Sequence, residues 1–248
     1  YEESDKALKR NRIGEWIADH LTAAHDRTIQ YWSTRWSLSP RQRLVDCLSP
    51  LADISQLVPG LDFPRRELPE TFHYVGALRG NSYEFSQELP RFDDARPLVY
   101  ASLGTLQSHR LRLFQRIAKA CRSIDVSLLV THANGLTPEQ AATIDADYVL
   151  PWVDQTEALN KASGVITHAG LNTVLDALVA GLPMLCMPLA FEQPGISARV
   201  ERAGAGTVLS PHASTSKIAH ALSQLLAEPS YRLRAQALGR DLINAGGS

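Results

Sequence analysis

The densest group of residues that could perform chemistry lies in one short segment, THAGLNTVLD, from Thr167 to Asp176. We expect a strand to end at Thr167 and a helix to begin near Leu171. The unpaired N–H groups of that first helical turn would then form a site for an anion. Gly170 has no side chain, so the backbone at this position can approach a phosphate closely. The segment therefore predicts a diphosphate site at the start of the helix.

Polar side chains around this turn could bind the same ligand. His168 and the hydroxyl of Thr173 could hydrogen-bond to phosphate oxygens. Asp176 follows Thr173 by three residues, which places both on one face of the helix, and its carboxylate could accept both hydroxyls of a ribose. Each residue also has an ordinary explanation. A histidine at a strand end is commonly structural, Asn172 and Thr173 could cap the helix, and Asp176 could lie on a solvated face.

A wider pattern, from Trp152 to Gln193, surrounds this segment. Trp152 is followed three residues later by Gln155, a His-x-Gly-x-Asn-Thr core comes next, an acidic residue follows it, and Glu192-Gln193 closes the run. This arrangement resembles the nucleotide-sugar signature of family-one glycosyltransferases. The resemblance implies the α/β GT-B fold and a UDP-sugar as the donor substrate.

The resemblance also implies a role for each matched residue. Trp152 would stack on the uracil, since an aromatic face suits a base, and Gln155 would hydrogen-bond near the base or ribose. His168, Asn172 and Thr173 would bind the diphosphate.

Further roles follow from the same resemblance. Asp176 would bind the ribose, and Glu192 and Gln193 would bind hydroxyls of the transferred sugar. The SLGT loop, Ser102 to Thr105, resembles the second phosphate-side loop of the family, although alone it would read as an ordinary strand-to-helix turn.

This sequence departs from the family pattern in two ways. Asp154 stands where the family often has proline, and we expect it to cap the following helix. The spacing from Gln155 to His168 is shorter than in plant members, which favours the bacterial branch and leaves the uracil contacts less well defined than the phosphate contacts.

No catalytic base is identified in this sequence. In the resembled family the base is a histidine near the start of the N-terminal domain, partnered by an acidic residue, and no histidine here matches that motif. Asp145-Ala146-Asp147 is a D-x-D sequence, the metal-binding signature of the other large glycosyltransferase fold. It lies in a polar turn without accompanying ligands, so we expect a solvated turn. We expect no metal and no cofactor, the UDP-sugar being a co-substrate.

The elements that must position these residues follow from the hydrophobic pattern. Short apolar runs alternate with helical segments after residue 96, which predicts βαβ units and a Rossmann-like domain with a parallel sheet covered on both faces. The predicted strands cover 97–103, 126–131, 148–152, 164–167, 183–189 and 206–209. The predicted helices cover 106–121, 155–162, 171–180, 195–203, 214–227 and 230–242.

The first part of the chain has a different character. Residues 1–36 have a helical pattern, 37–75 are repeatedly interrupted by proline and glycine, and 76–96 are polar and rich in turn residues. We expect 1–75 to be a remnant of an N-terminal acceptor domain, 76–96 a linker and 97–248 the UDP-sugar-binding C-terminal domain. The only methionines are Met184 and Met187, so we expect a segment of a longer protein, inactive by itself.

Composition excludes several classes of protein. A net charge of −1 removes the electrostatic argument for nucleic-acid binding. Cys47, Cys121 and Cys186 are widely spaced and predict reduced thiols. No apolar run has the length of a membrane helix, and no signal peptide opens the sequence. We expect a cytoplasmic location, with peripheral membrane contact through the missing domain.

A narrower resemblance rests on three runs, at 49–79, 96–105 and 190–200. They are similar to bacterial zeaxanthin glucosyltransferases, which implies transfer of a hexose, glucose above all, to a hydroxyl of a lipophilic acceptor such as a carotenoid. Macrolide and glycolipid glycosyltransferases stay open as alternatives. So do a UDP-sugar epimerase and a UDP-sugar-binding module without transferase activity. A dehydrogenase is disfavoured because no Gly-x-Gly-x-x-Gly follows a strand.

Overall fold

The computed structural model describes residues 4–79, 89–92 and 95–246. The chain divides into two compact units, Tyr1–Ile54 with Arg65–His73, and Ser55–Pro64 with Tyr74–Ser248. The first unit contains the long helix α1 (Asp5–Arg35) and a 3₁₀ turn at Leu44–Cys47. Strands β1 (Asp53–Ser55) and β2 (Phe72–Tyr74) form a two-stranded sheet.

The second unit is built on a six-stranded sheet in which all neighbouring strands are parallel. Its strands are β3 (Leu98–Ser102), β4 (Ser127–Thr131), β5 (Tyr148–Leu150), β6 (Gly164–Thr167), β7 (Met184–Cys186) and β8 (Gly206–Val208). Its helices are α2 (Leu111–Arg122), α3 (Pro138–Ala141), α4 (Gln155–Lys161), α5 (Leu171–Val179), α6 (Gln193–Arg202), α7 (Thr215–Ala227) and α8 (Pro229–Asn244). The predicted α/β fold with a parallel sheet is confirmed.

Both faces of this sheet are buried, as the continuous apolar strands require. Side chains alternate between the faces, so Leu98 and Tyr100 join one core while Val99 and Ala101 join the other. Helices α5 and α8 pack on the first face, and α2 and α7 pack on the second. Helices therefore cover both faces of the sheet.

The strand order is β5-β4-β3-β6-β7-β8. The chain winds outward in one direction from β3 and in the other from β6, so a switch point lies between these two strands. Crevices for ligands form at such points, beyond the carboxyl ends of the strands. Ser102 pairs with Thr167 at the ends of β3 and β6. The loops that follow these strands therefore start side by side.

The largest difference between a predicted element and the structure is at the start of α2. Helix α2 begins at Leu111, not at 106, because Gly104 takes a left-handed conformation (φ 68°) and a turn follows in which the Ser108 hydroxyl donates to the Thr105 carbonyl. Thr137 and Pro138 have the order of a helix start, a capping residue followed by proline, and the helix that begins there, α3, has only four residues.

Other expectations about the organisation of the chain are left open. The predicted linker at 76–96 includes 80–88 and 93–94, which lie outside the described residues, and the predicted domain boundaries stay a prediction. Within the described ranges, no helix combines the length and the apolar character that a bilayer crossing requires.

Candidate functional site

A cavity of about 260 Å³ opens at the carboxyl ends of β3 and β4, beside the start of α4. Its walls combine hydroxyl, amide and aromatic side chains with backbone from the loops after these strands. Five residues predicted to bind the nucleotide line it together: Ser102, Thr105, Trp152, Gln155 and Thr173. The structure thus brings these residues to one pocket, while their role in binding stays a prediction.

His168 occupies the gap between the two loops at the switch point. A methyl group built on Gly104 would lie 2.6 Å from Cε1 of the imidazole, and one built on Gly170 would lie equally close, at 2.6 Å. The ring edge formed by Cε1 and Nε2 is therefore enclosed by glycine backbone from both sides. Side chains at either position would force this ring to move.

The protonation state of His168 follows from its surroundings. Burial lowers the pKa of His168 below its ordinary value of 6.5, and the Glu192 carboxylate raises that pKa to a lesser extent. The imidazole is therefore neutral near pH 7. It can contribute a hydrogen bond to a ligand, while the positive potential at this place comes from the adjacent helix.

That helix, α5, begins without a side-chain cap. Gly170 is its N-cap residue, and the first helical hydrogen bond runs from the Val174 N–H to the Gly170 carbonyl, at 3.1 Å. The preceding N–H groups of the first turn are therefore outside the helical pattern and carry its partial positive charge. Ala169 supports the turn in a left-handed conformation (φ 65°), which is uncommon for alanine, and its N–H donates to Thr167 Oγ1.

Gln155 connects the pocket to the side of α5. It is the first residue of α4, whose N-terminus Asp154 caps by accepting a hydrogen bond from the Glu157 N–H, as the sequence predicted. Gln155 Nε2 donates to Asp176 Oδ2 at 2.7 Å, and its Oε1 accepts from the Thr173 hydroxyl at 3.4 Å. Asp176, which the sequence analysis expects to bind the ribose, thus accepts a hydrogen bond from Gln155.

Glu192 and Gln193, expected on the sugar, differ in their surroundings. Glu192 is exposed immediately before α6, and its charge acts on His168. Gln193 is only 3% exposed, and its Oε1 accepts from the N–H groups of Leu189 and Ala190, both at 2.8 Å. This side chain therefore braces the loop between β7 and α6, and its predicted role in binding the sugar stays a prediction.

The sequence analysis missed two buried residues of the pocket wall. The Tyr100 hydroxyl lies 2.9 Å from Thr131 Oγ1, and both residues line the cavity. Burial raises the pKa of Tyr100, so the phenol keeps its proton. In the sequence, Tyr100 has the position of a core residue within an apolar strand. The feature that could have identified it as part of a polar pocket wall is its hydroxyl, because a buried tyrosine needs a hydrogen-bond partner.

The D-x-D turn has arginine partners. Asp145 pairs with Arg122 at 2.7 Å, and Asp147 pairs with Arg96 at 2.7 Å and accepts from the Leu128 N–H. Each carboxylate is therefore part of an ion pair. The turn precedes the amino end of β5, whereas the pocket lies at the carboxyl ends of the strands. The expectation that no metal takes part stays a prediction.

The order of the strands in the parallel sheet is that of a domain of the GT-B glycosyltransferase fold. The solved structure of the glycotransferase of kitacinnamycin superimposes on 96% of this chain and 63% of that chain, with a TM-score of 0.81 and 20% sequence identity. At this level of identity the likeness establishes the fold. The fold expected from the sequence is confirmed.

The chain belongs to the UDP-glucoronosyl and UDP-glucosyl transferase family, whose family model matches residues 51–240. It is 46% identical to the zeaxanthin glucosyltransferase of Pseudescherichia vulneris over 251 residues, covering 100% of this chain and 60% of that protein. It is 42% identical to the zeaxanthin glucosyltransferase of Pantoea ananas over 252 residues, covering 100% of this chain and 58% of that protein. The chain thus spans about 60% of the length of these relatives.

Proposed function

We propose that this chain binds a UDP-sugar and serves as the donor-binding part of an inverting glycosyltransferase. The observation that carries the proposal is the convergence of five residues predicted to bind the nucleotide on one pocket at the carboxyl ends of β3 and β4. Residues from three separate loops meet there, and such convergence is typical of a ligand site and not of a helix cap or a solvated face.

The proposed pose follows the chemistry of the pocket from one end to the other. The uracil stacks on the exposed face of Trp152, and the ribose lies beside Gln155. The diphosphate reaches the uncapped start of α5, beside the imidazole of His168 that lies between Gly104 and Gly170. The hexose then extends toward Glu192, whose carboxylate accepts sugar hydroxyls.

This arrangement suits the departure of UDP. Negative charge grows on the leaving diphosphate as the bond to the sugar breaks, and preorganised dipoles aimed at that charge stabilise the transition state. The first turn of α5 supplies such dipoles, and the neutral imidazole of His168 adds one hydrogen bond. We assign no base to this chain, because transfer also requires deprotonation of the acceptor hydroxyl by a group outside this pocket.

The finer proposal concerns the two substrates. We infer that the donor is UDP-glucose and that the acceptor is a hydroxyl of a lipophilic molecule, a carotenoid such as zeaxanthin. Support comes from the two relatives that are 46% and 42% identical over the whole chain. A macrolide or a glycolipid is the alternative acceptor, because the donor pocket does not contact this substrate.

Calorimetric titration of the chain with UDP tests the donor part of the proposal. We expect saturable 1:1 binding of UDP and weaker binding of ADP, because the purine is larger than the ring that the pocket accepts. Replacing His168 by alanine should weaken the binding of UDP more than the binding of uridine, because uridine lacks phosphates. A chain that binds neither UDP nor UDP-glucose contradicts the proposal.

A chimera tests the acceptor part. The chain is joined to the part of the Pseudescherichia vulneris protein that it does not match, and labelled UDP-glucose is supplied with zeaxanthin. A labelled glucoside supports the carotenoid proposal. If no label reaches zeaxanthin while another hydroxylated lipid is labelled, the acceptor assignment is wrong and the donor assignment stands.

A further inference from the structure

An arginine outside the pocket contacts the residues behind its wall. Arg79 follows β2, and its Nε donates to Asp176 Oδ1 at 2.7 Å while Nη2 lies 2.6 Å from the same oxygen. Nη2 also donates to the backbone carbonyl of Asn172 at 3.1 Å, and Nη1 donates to the Leu78 carbonyl at 2.9 Å. The side chain is therefore held at several points, and its main contact is a carboxylate on α5.

The contact continues into the pocket through one further residue. The second oxygen of Asp176 accepts from Gln155 Nε2, and Gln155 Oε1 accepts from the Thr173 hydroxyl. Gln155 and Thr173 both line the cavity. An unbroken series of polar contacts thus runs from Arg79 through Asp176 to the pocket wall.

The series has a chemical consequence for the orientation of the Gln155 amide. A carboxylate only accepts hydrogen bonds, whereas an amide has a donor end and an acceptor end. With Asp176 fixed behind it, Gln155 must turn its NH₂ toward the carboxylate and its carbonyl oxygen toward Thr173. An Asp176 side chain that could rotate away would lose this control over the two ends of the amide.

We propose that Arg79 is a positioning residue for the donor nucleotide, which holds Asp176 in the conformation that orients the Gln155 amide. The inference rests on the proposed function, since it assigns a purpose to the pocket that Gln155 lines. Arg79 acts through Gln155 and does not itself touch the ligand. It is a residue of the segment that precedes the parallel sheet, so this segment contributes to a site built by the sheet.

The test measures UDP affinity by calorimetry for the wild-type chain, Arg79→Ala, Gln155→Ala and the double variant. We expect Arg79→Ala to weaken UDP binding about tenfold, the order of magnitude for losing one hydrogen bond between the Gln155 amide and the nucleotide. Because Arg79 acts through Gln155, the double variant should bind UDP no more weakly than Gln155→Ala alone. A purely structural role for Arg79 would instead give losses that add.

Two further variants complete the design. Arg79→Lys keeps the positive charge but loses the planar guanidinium fork, so its affinity for UDP should lie between those of the wild type and Arg79→Ala. This variant also keeps the test valid if Arg79→Ala folds poorly. Arg122→Ala is the matched control, because it breaks another arginine–aspartate pair, Arg122–Asp145, away from the pocket. We expect wild-type affinity for this control.

The possible results separate the inference from the proposed function. Three results would overturn the inference: losses of affinity that add, unchanged affinity in Arg79→Ala, and tighter binding in Arg79→Ala. Tighter binding would show that Arg79 competes with the ribose for Asp176. If the wild-type chain does not bind UDP, the proposed function itself fails. If wild-type binding is observed, only the comparison of the variants decides about Arg79.

Discussion

The packing of His168 against Gly170 gives a direct test of the proposed diphosphate site. The methyl group of Gly170→Ala would lie 2.6 Å from both Cε1 and Nε2 of the imidazole. Non-bonded atoms at their optimum are about 3.5–4.0 Å apart, so the ring must move by about 1 Å. Gly170 has φ −64°, which alanine adopts without strain, and the overlap with His168 is therefore the effect that the substitution introduces.

The size of the effect on binding follows from this displacement. A misplacement of about 1 Å can cost on the order of 100-fold in a function that depends on orientation, so we expect UDP affinity to fall by about 10- to 100-fold. The free energy of unfolding should fall by only about 1 kcal/mol, because a rotation of one side chain relieves the overlap. A large loss of affinity with a small loss of stability is the expected signature.

Calorimetry with UDP and chemical denaturation measure the two quantities. Gly14→Ala, in α1, is the control, because a methyl group there meets no atom within 4 Å, and it should bind UDP like the wild type. Adding His168→Ala to Gly170→Ala should cause no further loss. If Gly170→Ala keeps wild-type affinity, the reasoning that places the diphosphate against His168 is refuted.

Three other predictions follow from the structure. Asp62→Ala should lower the free energy of unfolding by about 3–5 kcal/mol, since it leaves the Arg199 guanidinium without its buried carboxylate. A loss in denaturation assays as small as that of Arg122→Ala would contradict this. His132→Gln should reduce the loss of stability between pH 7 and pH 5. Burial in the folded protein lowers the pKa of His132 below its ordinary value of 6.5. As the pH falls below 6.5, the unfolded chain is therefore protonated at this residue before the folded chain is. Protonation favours the unfolded chain, so the stability that is present above pH 6.5 is lost. Equal slopes of stability against pH would refute it. Trp152→Ala should weaken the binding of UDP by about 1–3 kcal/mol through lost stacking, and Trp152→Phe should weaken it by less. If both variants bind UDP in calorimetry as tightly as the wild type, Trp152 is not part of the site.

The strands were predictable because burial on both faces leaves a simple signal. Strands covered on both sides are continuous apolar runs, and β3 (Leu98–Ser102) is buried at every position. The start of α2 was not predictable from the same signal. Leu106 fits the helical period of the residues that follow, but it is exposed in a turn, because the left-handed Gly104 delays the helix.

The positions of the candidate site residues were also predictable, since they stand where strands end and helices begin. Their immediate partners were not. Asp176 contacts Arg79, which is 97 positions away in the sequence, and no local period connects such distant residues. Gln193 faces its own loop and not open solvent, because the backbone N–H groups of that loop need an acceptor. The partner of Asp176 is distant in the sequence, and the partner of Gln193 depends on the conformation of a loop.

The site depends on the order of the strands as much as on the motif after β6. The loop of Gly104 and the loop of His168 meet only because β3 and β6 are neighbours, with Ser102 level with Thr167. If the His-x-Gly-x-Asn-Thr segment followed any other strand, the helix after it would still begin at the same residue. The loop of Gly104 would then no longer lie against the imidazole of His168. A solved glycosyltransferase with only 20% identity superimposes on almost the whole chain, so the fold tolerates the replacement of most residues. The proposed diphosphate site requires in addition that β3 and β6 keep their order and register, because these fix the distance between the two loops.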